Sequence, residues 1–334
     1  LADGQTDAIF VAHGLEGVAG TATITVTAPG FTSATTSVVV VAPAARLNGA
    51  STALTVFQTP DTFTMQIGVP NASGTNLQEV QSVRPGGTPV NITVTSSAPA
   101  VAGFVSGATT TGSVTLPINP GQSITSTVSL KPLRAGTTTV SVATPVGYAT
   151  VAAGTVNVNV TTPGITFSGF PTTVGAGLQS TGTRFMRLGA ANHGGIRVRI
   201  ESSNPLLAVV SPNATTPGTA FIEVDLDDGE TDVVFMVHGM ESVSGNVVIT
   251  VSAPGFSDAN TTASIQPAAI RISGLATTAT AGGAVDAFTA QIGLANATGT
   301  DLASTQNVRP GGPGRFITIS SSNPAAGRIF TSTE

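Results

Sequence analysis

The chain repeats itself. Asp3–Phe31 (DGQTDAIFVAHGLEG … TVTAPGF) returns as Asp228–Phe256, and Phe63–Gly87 (FTMQIGVPNASGTNLQEVQSVRPGG) returns as Phe288–Gly312, both at an offset of 225 residues. A shorter step lies inside this period. Ser96-Ser97-Ala98-Pro99, Ser202-Ser203-Asn204-Pro205 and Ser321-Ser322-Asn323-Pro324 stand 106 and 119 residues apart, and Gly30, Gly147 and Gly255 stand 117 and 108 apart. Each pair of steps spans the long period, so the unit is a module of 105–120 residues in two alternating types, A and B.

The frame is then readable. Residues 1–42 are the second half of a B module, 43–162 a whole A module, 163–267 a whole B module and 268–334 the first half of another A. Joints fall at Ala42-Pro43, Thr162-Pro163 and Gln266-Pro267, where proline beside the last strand stiffens a short connection. Half a sandwich cannot cover its own inner face. The two ends are therefore expected either to continue into a longer polypeptide, the favoured reading, or to be completed by neighbouring copies.

Within a module the pattern is that of strands. Gly20–Ala28 (GTATITVTA) alternates, with Ala22, Ile24 and Val26 on one side and threonines on the other. Val247, Ile249 and Val251 repeat it in one copy, and Thr138, Val140 and Val142 in another. Further strands are expected around Phe63–Gly68, Val90–Thr95, Thr183–Leu188, Ile196–Ile200 and Val233–Val237. Asp3-Gly4, Pro120-Gly121 and Asp228-Gly229 mark one hairpin position, and Pro29-Gly30 and Pro254-Gly255 another. An aromatic follows the second turn (Phe31, Phe256 and, after an insertion, Tyr148), where it is expected to plug the end of the core. A short helix is expected near Leu77–Ser82 and in its copy at Leu302–Asn307. About seven short strands per 100 residues, with regular turns, predict an all-β chain of tandem immunoglobulin-like β-sandwich domains in a linear array.

Composition narrows the function. Charged residues are 9%, against about 25% in ordinary globular domains. Hydrophobic residues are 40% and mean hydropathy is +0.32, which favours a folded chain over a disordered one. A surface of Ser, Thr, Asn and Gln offers few trypsin sites and suits exposure outside a cell. The net charge of −5 is spread thinly and argues against nucleic acid as a partner. No apolar run nears the ~18 residues of a membrane span. The absence of cysteine removes disulfides and thiolate metal sites.

Residues in two stretches resemble a known family. Ser202–Val210 (SSNPLLAVV) resembles the strand-turn of bacterial immunoglobulin-like domains, the Big or invasin/intimin-like group. Gly245–Phe256, Gly20–Phe31 and Gly136–Tyr148 resemble that group's later strand pair. Many members carry Trp before the Ser-Ser-Asn turn, where this chain has Val94 or Ile200. The resemblance implies stalks, adhesins, cell-wall and surface-layer components, and accessory modules of secreted enzymes.

Few residues invite chemistry. His13 and His238 share one repeat position in His-Gly-x-Glu, with Glu16 and Glu241, and are read as a solvated turn; the A module has Leu130 at the matching place. With no constellation common to the modules, no catalysis is expected. Asp225, Asp227, Asp228, Glu230 and Asp232 crowd one hairpin and form a candidate calcium site, although the equivalent loops dilute to Asp3 and Asp7 and then to Asn119. No other cofactor is expected. Lys131, the one lysine, allows at most one isopeptide cross-link. Asn71 and Asn296 head Asn-x-Ser/Thr triplets at one repeat position and are the better glycosylation candidates.

The loop Asn71–Gly87 and its copy Asn296–Gly312 end in Val-Arg-Pro-Gly-Gly, whereas the B module has only Asn192-His193-Gly194-Gly195 there. Arg84 and Arg309, with Asn76 and Asp301, are the candidates for a domain–domain or subunit–subunit contact. The leading expectation is a structural segment of an extracellular fibre, stalk or surface layer, whose partners are other copies, neighbouring repeats or cell-surface polymers. An adhesin or carbohydrate-binding stalk, or spacers of a secreted enzyme, are the alternatives.

Overall fold

The computed structural model describes residues 1–182 and 184–330. Thr183, at the start of one expected strand, and residues 331–334, at the end of the last module, lie outside them. The fold is all-β, built of tandem immunoglobulin-like sandwiches, with one short 3-10 turn at Ala152–Gly154 among the described residues. The chain divides into two compact units, Leu1–Thr162 and Pro163–Glu334.

In the first unit, β1 (Gly20–Val26) and β2 (Ala34–Val40) form a hairpin of their own. The strands that follow are β3 (Ala44–Asn48), β4 (Ala53–Thr55), β5 (Asp61–Pro70), β6 (Leu77–Val80), β7 (Val90–Ser96), β8 (Ala102–Ser106), β9 (Thr109–Thr111), β10 (Ser113–Ile118), β11 (Val128–Pro132), β12 (Gly136–Ala143) and β13 (Thr155–Thr161). One sheet runs β10-β7-β12-β13-β4, the other β3-β5-β11-β8-β9, with β6 also on β5. Alternate residues of facing strands enter one core: Phe63, Met65 and Ile67 from β5, Ile92 and Val94 from β7, Phe104 from β8, Leu130 from β11 and Val140 from β12. The Phe63 and Phe104 rings meet edge to face at 6.4 Å.

The second unit contains β14 (Ile165–Ser168), β15 (Thr172–Gly175), β16 (Phe185–Leu188), β17 (Ile196–Ser202), β18 (Ala208–Ser211), β19 (Phe221–Leu226), β20 (Asp232–Val234), β21 (Met236–Gly239), β22 (Gly245–Ser252) and β23 (Ala259–Gln266). The sheet β19-β17-β22-β23-β15 repeats the order of β10-β7-β12-β13-β4, down to the parallel pair at its end. Strands β14-β16-β20 and β18-β21 stand in place of the second sheet. The run equivalent to β11 is interrupted at Phe235, which is fully buried and stacks on Phe170 at 5.2 Å. Finally β24 (Ala268–Ser273), β25 (Thr289–Ala295) and β26 (Leu302–Thr305) form a three-stranded sheet.

The repeated Ser-Ser pair has a structural reason. The Ser96 and Ser202 hydroxyls are buried and donate to the carbonyls of Ala102 and Ala208, at 2.7 and 2.6 Å, tying each strand to the one that follows it. The next serines, Ser97 and Ser203, accept from the Thr139 and Val248 amides on the neighbouring strand, at 2.8 and 3.0 Å.

Two expectations fail. Leu77–Val80 and Leu302–Thr305 are strands, not helix, because β5 and β25 present open edges that they complete through a bulge. Gly68 and Gly293 permit that approach: a Cβ on either would overlap the carbonyl oxygen of Glu79 or Ser304. The aromatic after the second turn is buried as Phe256 and packs partly against the core as Tyr148, but Phe31 is 81% exposed. Among the described residues no sheet faces the β1–β2 hairpin. Ile24 is 41% exposed there, while its equivalent Ile249 is fully buried.

Candidate functional site

The loop after β6 is anchored before it reaches its arginine. Val83 is buried, and its amide and carbonyl bond Gln122 and Gly121 in the turn before β11. The next residue, Arg84, is thereby aimed away from its own module. Its Nε and Nη2 donate to Glu16 Oε1 and Oε2 at 2.9 and 2.8 Å. The copy repeats this fork: Arg309 Nε and Nη2 donate to Glu241 Oε1 and Oε2 at 2.8 and 2.7 Å. Two parallel N–H···O bonds fix orientation as well as distance.

The rest of the Val-Arg-Pro-Gly-Gly motif serves the same contact. Gly86 and Gly311 turn the chain with φ of +75° and +72°. A Cβ on Gly87 would stand 2.9 Å from Glu16 Oε1, and one on Gly312 2.6 Å from Glu241 Oε1. The last glycine therefore clears space for the carboxylate.

Around Arg309 the contact is broader. Gln306 is buried; the Gly175 amide donates to its Oε1 at 2.8 Å, and its Nε2 donates to the Thr173 carbonyl at 3.0 Å. The Gln179 amide donates to Asn307 O and the Arg309 amide to Gly177 O. The Arg309 and Glu241 side chains are 9% and 20% exposed, against 33% and 51% for Arg84 and Glu16. The hydrogen bonds from arginine hold both Glu16 and Glu241 below the usual carboxylate range, and Glu16 raises Arg84.

Asn76 and Asp301 are engaged inside their own modules. Arg46 Nη1 donates to Asn76 Oδ1 and Arg271 Nη1 to Asp301 Oδ1, each at 2.9 Å. Asn71 and Asn296 close their own loops: Asn71 Oδ1 accepts from the Thr75 amide at 2.9 Å and Asn296 Oδ1 from the Thr300 amide at 3.0 Å.

The acidic hairpin is spread rather than gathered. Asp225 accepts a fork from Arg197 and Asp232 one from Arg187. Those hydrogen bonds lower both carboxyls. Asp228 accepts from the Gly194 amide and Glu230 from the Asp227 amide. Among the described residues no three His, Cys, Asp or Glu side chains, Asp227 included, converge as a metal would require.

The histidines require a correction. His238 is not in a solvated turn; it lies in β21, opposite Val209, and is fully buried with neither ring nitrogen hydrogen-bonded. Burial, and then the charge of Arg309, lower its pKa to about 4. Nor is Leu130 its counterpart. Ala102 pairs with Pro132 as Ala208 pairs with Gly239, and the next amides, Leu133 and Met240, bond Val101 O and Leu207 O alike, so Lys131 is the equivalent of His238 and Arg134 that of Glu241. A shallow pocket lined by Ala45, Val142, Pro145, Ala149, Thr150 and Thr155, among others, has no titratable side chain in its wall.

Reading the sequence picked out the arginines, placed Glu16 and Glu241 in a His-Gly-x-Glu turn without linking them to those arginines, and missed Gln306. A signal for the glutamates was present, since both recur at the 225-residue offset in a chain with few charges.

No protein-family model matches the sequence, and no match was found among curated proteins. Solved structures match it only at low identity and low TM-score. Domains 4 and 5 of the S-layer protein SbsC are 16% identical, over 66% of this chain and 96% of that one, with a TM-score of 0.26. Domains 1–6 of SbsC are 15% identical, over 79% and 32%, with a TM-score of 0.29. The Yersinia pseudotuberculosis adhesin InvE is 11% identical, over 66% and 58%, with a TM-score of 0.26. Values this low say nothing of what the chain does.

Proposed function

We propose that this chain is a structural segment of an extracellular surface protein, a run of sandwich modules that holds position and transmits load in a stalk, fibre or layer. The module borders are those of the repeat: 1–42, 43–162, 163–267 and 268–334. The observation that carries the reading is the recurrent Arg–Glu fork, in which a loop of one module grips the preceding one at two places 225 residues apart. Repeated contacts between successive modules are what a repeat array needs, since stability there is a sum of module and neighbour terms. The polar, lysine-poor surface fits a location outside the cell, and the residues give no reason to assign catalysis, a cofactor or a membrane span. Electron microscopy of the native material tests this. Filaments, stalks or a lattice are expected; isolated compact particles attached to a catalytic domain would overturn it.

A further inference from the structure

We propose that the Arg–Glu fork is a pairing key that fixes module order: the loop of an A module accepts a preceding B module and rejects a preceding A, so the B–A pair forms one stiff block. Three observations lead to this. First, both copies of the fork join the end of a B module (Glu16, Glu241) to the loop of the next A (Arg84, Arg309), with the same atoms paired. Second, the strand ladder and the matching amide bonds of Leu133 to Val101 O and Met240 to Leu207 O equate Glu241 with Arg134 in the A module. An A module in front of Arg84 or Arg309 would therefore offer an exposed cation instead of a carboxylate, on a turn two residues shorter, Arg134–Gly136 against Glu241–Gly245. At Arg309, which is largely buried, removing the carboxylate and replacing it with a like charge is strongly unfavourable. Third, the B module has Asn192-His193-Gly194-Gly195 in place of the Arg-bearing loop, so the key exists in one order only.

The stiffness follows from the breadth of the contact at Glu241. The fork is joined there by the paired backbone of Leu178 and Val308 and by the buried Gln306 bonding Thr173 and Gly175. This inference goes beyond the role proposed above and stands wherever in a stalk or layer the chain belongs.

The chain has no cysteine, so two can be placed for spin labels without interference. Thr262→Cys and Thr289→Cys, both exposed, put one label on the B module and one on the following A module of the full chain. A single narrow distance distribution is expected. Glu241→Gln should at least double its width, Glu241→Arg should widen it further, and Glu241→Arg with Arg309→Glu should restore it. Circular dichroism reports whether each variant folds; if Glu241→Arg does not, Glu241→Gln alone decides. A narrow distribution retained by the single variants, or a charge swap that fails to restore it, overturns the key.

Discussion

The A module at 43–162 and the B module at 163–267 present the same sheet with different outer faces. On β7 and β10 the outward neighbours are Thr93 opposite Thr115, their hydroxyls 2.8 Å apart, and Asn91 opposite Pro117. At the equivalent places on β17 and β19 stand Arg199 opposite Glu223 and Arg197 opposite Asp225, both ion-paired. Arg199 also lies over the Phe221 ring, 3.6 Å from its centre. Beneath these faces the inward residues agree: Ile92 and Val94 in one, Val198 and Ile200 in the other, all fully buried. The inner face and the turns specify the sandwich, whereas the outer face is free to use hydroxyls or charges.

The comparison can be broken first at the core. If the inner faces are equivalent, Ile92→Ala and Ile200→Ala should each destabilise their own module by about 2–5 kcal/mol and leave the other unchanged. Hydrogen exchange resolved by peptide measures this; a large cost from one substitution and none from the other would mean the two cores are not equivalent.

Acid should separate the modules next. His238 takes up a proton near 6.5 in the unfolded chain but only near 4 in the fold, so acid favours the unfolded form. Its contribution to B is complete above about pH 6.5 and is lost as pH falls toward 4, amounting to roughly 3 kcal/mol there. Glu241, held low by Arg309, adds a loss in the same direction below its ordinary carboxylate range. The A module has the exposed Lys131 at the equivalent place and should not share the histidine loss. The same exchange measurement at pH 7, 5 and 4 checks this, and His238→Leu should flatten the B profile between pH 6.5 and 4.

Salt should produce the smallest difference. The Arg197 and Arg199 pairs are exposed, so solvent and salt screen them and each adds little to stability. Raising NaCl to 1 M should lower the melting temperature of B slightly through these pairs and leave the hydroxyl-laced face of A unaffected. Thermal melts of Arg199→Thr/Glu223→Thr against the parent, at low and high salt, isolate the term.

Much of the sandwich was legible in the sequence because its signals are local. Alternation at Gly20–Ala28 and its copies, and the glycines at 4, 121 and 229 with their positive φ, belong to single strands and turns. The edge strand at Leu77–Val80 was misread because four residues hold too few periods to separate helix from strand, and only the open edge of β5 decides it. The equivalence of His238 with Leu130 slipped by one residue because counting back from Gly147 and Gly255 without gaps ignores both the two-residue-shorter turn after Arg134 and the one-residue insertion before Tyr148, and one residue in a strand swaps a buried side for an exposed one. The arginine half of the fork stood out by rarity. Its glutamate half lies 68 residues away in the preceding module, and no local pattern links the two.

Stretching the full chain from its two ends by single-molecule force spectroscopy addresses the modular architecture most directly. At ~3.3–3.6 Å per extended residue, the segments 43–162 and 163–267 should unfold in two separate steps, releasing roughly 40–43 and 35–38 nm of extended chain, less the length of each folded module. A single step releasing both lengths together, or a gradual extension without steps, would contradict modules that are each closed around a core of their own.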